Sequence, residues 1–223
     1  MEKNDAAKQI AGAIIIAGVL IAGAILLKNN SAPKAEASIA KQIGLKEKAF
    51  NSCVAEGKFK NKVEADISGG IAAGVNGTPT SFILKDGKVY SFEGPDGKAY
   101  DSIPGAQPYE IVMQNIKRIK DGTPEPIEKQ LKPVSPDDHI LGSADAKIIV
   151  VEYSDLDCPF CKTFHNTMHR IVKENTDVAW VYRHFPIPKL HPNAKRKAEE
   201  TECASEQKGN DGFWKYTDKV FEI

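Results

Sequence analysis

The chain has 223 residues and carries 30 Lys and Arg against 30 Asp and Glu, so its formal net charge is zero. This balance gives no electrostatic reason to expect binding to nucleic acid or to an anionic membrane surface. Hydrophobic residues make up 41% and charged residues 27% of the chain, which is typical of a globular protein and argues against disorder.

An uncharged stretch of Ile, Ala, Gly, Val and Leu covers residues 10–27. Its length of about 18 residues is near the short end for a helix that spans a bilayer. We expect a transmembrane anchor at 10–28, after a cytoplasmic segment at 1–9 and before a linker at 29–38. A cleaved signal peptide remains the alternative, because Ala-Glu-Ala at 35–37 is a small-x-small pattern, although the apolar core of such a peptide is usually shorter, about 7–15 residues.

Both interpretations put the rest of the chain outside the cytoplasm, where disulfides persist. We therefore expect a single-pass protein of the cytoplasmic membrane whose main domain is extracytoplasmic.

Apolar periodicity, glycines and prolines predict the elements that follow the anchor. In the first half these are a helix at 39–55 broken at Gly44, a helix at 59–73, a strand at 80–84, a hairpin turn at Asp86-Gly87, a return strand at 89–92, a helix at 109–120 and a proline-rich linker at 122–138. In the second half they are a strand at 148–151, a helix from Cys158 to about Asn175, a strand at 178–182 and helices at 193–208 and 212–221. The mixture predicts an α/β fold.

Two of the four cysteines, Cys158 and Cys161, form a C-P-x-C between a predicted buried strand and a helix. Pro159 suits the first helical turn, where its missing N–H costs nothing. Cys158 then lies at the helix N-terminus, whose free N–H groups stabilise a thiolate, the attacking species in disulfide exchange. We expect Cys158 to be the exposed nucleophile and Cys161, one turn further on, to be the buried resolving thiol.

A bare C-x-x-C is also found in zinc sites and in structural disulfides. His165 and His169 follow Cys161 at four-residue steps, so a zinc site needs consideration. On one continuous helix these side chains form a stripe about 16 Å long from Cys158 to His169, which cannot converge on one ion. We therefore predict no metal here, and expect the two histidines to be partly packed helix residues.

Four segments resemble one known family. Residues 150–161 (VVEYSDLDCPFC) are similar to the first strand and active site of DsbA-like thiol oxidoreductases. Residues 75–83 (VNGTPTSFI) resemble the family's cis-proline loop and the strand after it, and residues 182–186 and 211–214 are also similar to family segments. The resemblance covers nearly all of 39–223 and implies a thioredoxin-like fold with a helical insertion subdomain.

The resemblance also implies roles for single residues. Pro79 would be cis, and Thr78 would present its backbone to a bound peptide. Glu152 would be the family's buried acid that moves the proton of Cys161, and burial would raise its pKa. The alternative for Glu152 is a solvent-exposed carboxylate at a strand end.

One position departs from the family's pattern. Phe160 stands where the strongly oxidising members often carry His, and it cannot donate a charge or a hydrogen bond to the thiolate. Asp155 and Asp157 also disfavour negative charge on Cys158. Both features predict a less oxidising pair, so the direction of electron flow stays open.

The halves occur in reversed order, because Pro79 precedes Cys158. We expect a circular permutation, in which 39–121 is the cis-proline half, 122–138 the linker and 139–223 the half with the Cys pair, each contributing part of the helical subdomain. Exchange of halves between two chains, two incomplete tandem domains and a rearranged gene are the alternatives.

Within this arrangement both Cys53 and Cys203 belong to the helical subdomain, and we expect a disulfide between them. Two buried free thiols are the alternative.

The expected function is that of a membrane-anchored, extracytoplasmic thiol–disulfide oxidoreductase, acting as an oxidase. The expected partners are cysteine-containing secreted chains, a membrane redox protein and the membrane itself, with no cofactor, metal or nucleic acid. A disulfide reductase or isomerase, and a non-catalytic module held by zinc or by a disulfide, are the alternatives.

Overall fold

A mixed β-sheet forms the centre of the described chain. The computed structural model describes residues 38–143 and 145–222, and Ile39–Ile223 forms one compact unit. The predicted anchor at 10–28 and both of its flanks up to residue 37 lie outside the described residues. Within them, no helix has the length and apolar composition needed to cross a membrane.

Six helices and nine strands are assigned in the described ranges. The helices are α1 (Ile39–Gln42), α2 (Glu47–Ala55), α3 (Lys60–Ala72), α4 (Tyr109–Lys120), α5 (Pro159–Glu174) and α6 (Ala194–Phe221). The strands are β1 (Thr80–Lys85), β2 (Lys88–Tyr90), β3 (Phe92–Glu93), β4 (Ala99–Tyr100), β5 (Ile103–Pro104), β6 (Pro126–Ile127), β7 (His139–Leu141), β8 (Ile148–Ser154) and β9 (Val178–His184).

The main sheet has the strand order β6-β2-β1-β8-β9-β7, and β5 also pairs with β1. Its two long central strands, β8 and β9, are parallel, and nearly all of their residues are buried. This matches the run of β-branched residues in β8, because such runs are typical of strands covered on both faces. β1 pairs antiparallel with β8 from Thr80–Tyr153 to Lys85–Ile148. One chain therefore builds a single sheet from both predicted halves.

Alternate residues of β8 enter two different cores. Ile148 and Val150 pack with the apolar sides of α4, α5 and the end of α6, whereas Val151 and Tyr153 pack with residues near the end of α3 and with the segment before β7. This period-two alternation is what a strand requires when both faces are covered. The sheet therefore lies between two hydrophobic cores, one on each of its faces.

The hairpin between β1 and β2 has the predicted turn. Asp86 and Gly87 both have positive φ, at 52° and 74°, and Lys85 pairs with Lys88 across them. Two central residues with φ > 0 define the type I′ turn, whose twist matches that of the strands.

Parts of the segment predicted as a linker, 122–138, pack against the sheet. β6 within it pairs with β2, and the carbonyl groups of Lys132 and Pro133 accept hydrogen bonds from the Arg183 guanidinium at 2.9 and 3.1 Å. Asp138 pairs with the same guanidinium at 2.8 Å, and both side chains are buried. The segment predicted to join the two halves therefore also packs against the sheet, because a buried cation on β9 needs these oxygens.

A separate helical cluster joins both ends of the described chain. Side chains of α1 and α2 pack against α6, including the stacked rings of Phe50 and Tyr216. The predicted disulfide is present, between Cys53 on α2 and Cys203 on α6. The bond crosslinks residues that are 150 positions apart, so it ties the first helices to the last one.

Candidate active site

Cys158 lies at the junction between β8 and α5. It caps the helix with extended backbone (φ −78°, ψ 122°), and Pro159 occupies the first helical position. The backbone N–H of Lys162 donates to the Cys158 carbonyl at 3.1 Å, which closes the first turn. The Cys158 sulfur therefore lies beside the free N–H groups and the positive end of the helix dipole, which favour a thiolate.

The loop before β1 contacts this sulfur. The Thr78–Pro79 peptide bond is cis, as the resemblance implied, and the Cys158 thiol donates a hydrogen bond to the Thr78 carbonyl at 3.5 Å. The Thr78 hydroxyl is buried and has no hydrogen-bond partner in the described structure. The Thr78 O–H group is therefore available to donate a hydrogen bond near the Cys158 sulfur.

The two sulfurs differ less in exposure than expected. Cys161 is fully buried, as predicted, and receives a hydrogen bond from the Asp155 backbone N–H at 3.4 Å. Cys158 is itself only 5% exposed, so the prediction that its side chain is exposed is wrong. The contact with the Thr78 loop accounts for part of this cover. The side chain that does face solvent is Phe160, which is 64% exposed.

The pKa values of the two thiols diverge strongly. The hydrogen bond from the Cys161 side chain, together with the backbone N–H groups of Cys161 and Phe160 and the nearby Thr78 side chain, lowers the pKa of Cys158 to about 5 against the opposing effect of burial. Burial, followed by the hydrogen bond to Cys158, raises the pKa of Cys161 far above its ordinary value. At neutral pH the pair therefore carries one thiolate, on Cys158, and one thiol, on Cys161.

The two acidic residues before Cys158 are compensated. Asp155 accepts a hydrogen bond from His191 Nδ1 at 2.9 Å, and Asp157 forms an ion pair with Lys197. The hydrogen bond to Asp155 raises the pKa of His191, and the charge of Cys158 contributes in the same direction. The expected penalty on the thiolate is thereby reduced by a hydrogen bond to Asp155 and an ion pair with Asp157.

Glu152 lies on β8, is fully buried, and has no hydrogen-bond partner for either carboxylate oxygen in the described structure. Burial raises its pKa to about 8. The charge of Glu152 also contributes to the raised pKa of Cys161, so the two groups interact electrostatically. At neutral pH the carboxyl group holds a proton close to the resolving thiol.

The two histidines that follow Cys161 on α5 share a partner on α6. His165 and His169 contact the carboxylate of Asp218 on α6, and the groups of possible metal ligands among the described residues contain neither cysteine. His165 is fully buried, which is more than the partial packing expected for it. Sequence reasoning also missed His191, because nothing marks a loop histidine 33 residues after Cys158 as its neighbour.

Comparison with known proteins relates the segment around the Cys158–Cys161 pair to thioredoxins. Residues 134–222, which contain the Cys158–Cys161 pair, match the family model described as thioredoxin. The chain has a thioredoxin-like α/β fold. The remaining strands of this thioredoxin-like sheet, β1, β2, β5 and β6, come from the part of the chain before the match.

Several proteins described as Na(+)/H(+) antiporters are similar in sequence to part of this thioredoxin-like chain. The Na(+)/H(+) antiporter NhaA 3 of Salinispora tropica is 38% identical over 98 residues, which is 44% of this chain and 15% of that protein. NhaA 1 of Mycolicibacterium vanbaalenii is 38% identical over 112 residues, 48% of this chain and 18% of that protein. The chain thus spans less than a fifth of the length of these relatives.

Among solved structures, the crystal structure of Pseudomonas aeruginosa DsbA2 is 37% identical to the thioredoxin-like chain over the matched part. The match covers 40% of this chain and 50% of that one, with a TM-score of 0.38.

Proposed function

We propose that the protein is a thiol–disulfide oxidoreductase that works through Cys158 and Cys161. The observation that carries this proposal is the asymmetry of the pair: one sulfur at a helix N-terminus with a pKa of about 5, and its neighbour fully buried with a pKa raised far above the ordinary value. A structural bridge gains nothing from such asymmetry, whereas disulfide exchange needs one attacking or leaving thiolate and one resolving thiol.

In the proposed oxidation a substrate thiolate attacks the Cys158 sulfur of the Cys158–Cys161 disulfide. The S–S bond breaks, its electron pair moves to Cys161, and a mixed disulfide joins Cys158 to the substrate. A second substrate thiolate then attacks the substrate sulfur of the mixed disulfide and releases Cys158 as a thiolate. The substrate gains a disulfide, and the protein gains two electrons.

The proton that Cys161 takes up in the first step has a nearby source. Glu152 has a pKa of about 8 because it is buried, so near neutral pH it can release a proton to the Cys161 thiolate and take one back later. Glu152 and Cys161 are both fully buried and interact electrostatically, so the proposed transfer would take place inside the protein. We assign Glu152 the role of proton carrier and Thr78 that of a donor at the Cys158 sulfur.

The low pKa of Cys158 favours the oxidase direction. A thiolate with a pKa of about 5 stabilises the reduced form at pH 7 by about 2–3 kcal/mol relative to an ordinary thiol. For a two-electron couple this makes the pair more oxidising by roughly 50–60 mV. A reductase or isomerase remains the alternative, and a measured reduction potential distinguishes it from an oxidase.

We propose that 39–121 and 139–223 form one domain within a single chain. The support is the pairing of β1 with β8 across six residue pairs, together with the disulfide between Cys53 and Cys203. The order of the halves remains the predicted circular permutation. Non-reducing electrophoresis should give a monomer band, since halves exchanged between two chains would be joined covalently as a dimer.

The membrane anchor at 10–28 and an extracytoplasmic location remain proposals. They rest on the uncharged apolar sequence and on the disulfide between Cys53 and Cys203, a bond typical of oxidising compartments. The partners proposed with them are cysteine-containing secreted chains and a membrane protein that reoxidises the pair.

The decisive experiment combines alkylation with turnover. Reduced protein should react with iodoacetamide at Cys158 with a midpoint near pH 5, and it should catalyse disulfide exchange with a model dithiol peptide. Cys158→Ser should abolish both, while Cys161→Ser should keep the alkylation and trap a mixed disulfide. A midpoint near pH 8.5, or a Cys158→Ser protein with full turnover, would leave the pair as a structural element only.

A further inference from the structure

Three possible metal-ligating atoms meet beside the middle of α5. The Nε2 atoms of His165 and His169 each lie 2.9 Å from the same oxygen of Asp218, and the two Nε2 atoms are 3.1 Å apart. The histidines are four residues apart on one helix face, a spacing that suits joint metal ligation, and the carboxylate comes from α6.

Hydrogen bonding alone does not satisfy this triangle. Each of its three contacts needs one proton between its two atoms. With an ionised Asp218, protonating both Nε2 atoms leaves two donors facing each other, and protonating one leaves a bare nitrogen facing the carboxylate oxygen. A single cation above the plane of the three atoms would instead accept a lone pair from each of them.

We propose that His165, His169 and Asp218 bind one divalent first-row transition-metal ion, with water completing its coordination. An ion about 2.1 Å from each atom would make ligand angles of roughly 90°, as on one face of an octahedron. Two histidines and one carboxylate with open positions are a known donor set for such ions. The side chains of His169 and Asp218 are each 28% exposed, so water can reach the ion from that side.

The charges around Asp218 are compatible with a bound cation. Within the described residues, the Asp218 carboxylate pairs with the two histidines, and no lysine or arginine forms an ion pair with it. The second possible cluster, formed by Asp66, His184 and Glu202, differs in this respect. There Lys62 already lies 3.4 Å from the Asp66 carboxylate and 3.6 Å from that of Glu202, in the place of a cation.

The surroundings also limit the affinity. The Nδ1 atom of His165 is buried without a partner in the described structure, so this ring lacks the hydrogen bond that usually fixes the tautomer of a ligating histidine. Loss of such support weakens metal binding by about 10–100-fold. We therefore expect a dissociation constant in the micromolar range rather than a permanently bound ion.

The site would connect the active-site helix to the end of the chain. α5 begins beside the redox pair, and Asp218 lies in the last turns of α6. A bound ion would therefore hold the second part of α6 against α5, and binding to the folded form alone would stabilise the protein.

The chain carries its own reporters for this site. Its two tryptophans, Trp180 and Trp214, have ring centroids between 4.9 and 6.2 Å from those of His165 and His169. Binding of Ni²⁺, which quenches indole fluorescence at short range, should therefore reduce the emission of both.

The test uses the full-length, tag-free protein with the Cys158–Cys161 pair oxidised, so that these sulfurs cannot hold metal. After chelator treatment, and at a protein concentration well above the expected dissociation constant, Ni²⁺ should quench the fluorescence by more than half and saturate at one equivalent. Zn²⁺ should compete with Ni²⁺, reverse the quenching and raise Tm by several degrees. His169→Ala and Asp218→Asn should each weaken binding at least 10-fold, whereas the control His191→Ala should bind as the wild type does.

The variants are first compared without metal by circular dichroism and Tm. Asp218→Asn keeps the size of the side chain, so it retains a readout even where His169→Ala is unstable. Quenching that does not saturate at one equivalent would overturn the proposal. So would unchanged Ni²⁺ affinity in Asp218→Asn, or loss of binding in His191→Ala.

Discussion

At the scale of single residues, Glu152 lies in an environment where a charge is costly. It is fully buried on β8, and neither of its oxygens has a partner in the described structure. An acid whose pKa is higher in the folded than in the unfolded state stabilises the fold while it is protonated. That contribution is complete below the unfolded pKa, about 4.3, and it is lost as the pH rises through about 8.

We predict that Glu152→Gln stabilises the protein at alkaline pH and has little effect at pH 4, because glutamine cannot ionise. Between these limits the wild type should lose up to about 1.4 kcal/mol per pH unit relative to the variant. Urea denaturation of both proteins from pH 4 to 9 measures this difference. The exposed Glu128→Gln serves as the control, and parallel stability curves for Glu152→Gln and wild type would contradict the prediction.

The sequence allowed some of the site to be predicted. The position of Cys158 at a helix start follows from the motif, and the burial of Glu152 follows from the apolar run before it. The compensation of Asp155 and Asp157 could not be foreseen, because their partners His191 and Lys197 lie 36 and 40 residues away along the chain. Contacts of this range depend on the completed fold.

At the scale of elements, α6 contains one residue that is not helical. Gly209 has φ 61° and ψ −152°, a region that is nearly restricted to glycine, and it separates the two helices predicted at 193–208 and 212–221. The structure therefore agrees with two helical segments in close succession. Gly212 lies so close to Ala204 that a Cβ atom would be 2.4 Å from the Ala204 carbonyl oxygen.

We predict that Gly209→Ala destabilises the protein by about 1–3 kcal/mol, because alanine disfavours this backbone conformation. No atom lies within 4 Å of the site where its Cβ would be, so the cost comes from the backbone alone. Gly77→Ala, which also has open space but no positive φ, is the matched control. Equal midpoints of urea denaturation for the two variants would rule out the backbone argument.

The long helices and the strands with clear periodicity were predictable, whereas the short strands were not. β3, β4, β5 and β6 have two residues each, too few for any pattern to repeat. The contacts between 122–138 and the sheet could not be predicted for a different reason. It depends on the buried guanidinium of Arg183, which is 45 residues beyond Asp138.

At the scale of the whole molecule, the disulfide between Cys53 and Cys203 closes a very long loop. Its sequence separation of 150 would correspond to about 5 kcal/mol in the chain-entropy model, and removal of native disulfides commonly costs about 2–5 kcal/mol. The bond lies between α2 and α6, in the cluster that unites the two ends of the described chain.

We predict that Cys53→Ser combined with Cys203→Ser lowers the free energy of unfolding by about 2–5 kcal/mol. Both proteins should carry Cys158→Ser and Cys161→Ser, so that only one disulfide can form. Urea denaturation without reductant gives the difference. A loss below about 1 kcal/mol would mean that the packing of α1, α2 and α6 holds the ends together without the bond.

The two outermost strands of the main sheet have a consequence for how the protein behaves beside other polypeptides. β6 and β7 contain only two and three residues, and β6 begins with Pro126, which has no N–H to offer. An incoming extended chain would find almost no row of free donors and acceptors along these borders. Encounters at the borders of the sheet should therefore remain brief, and the sheet should resist growth into aggregates by strand addition.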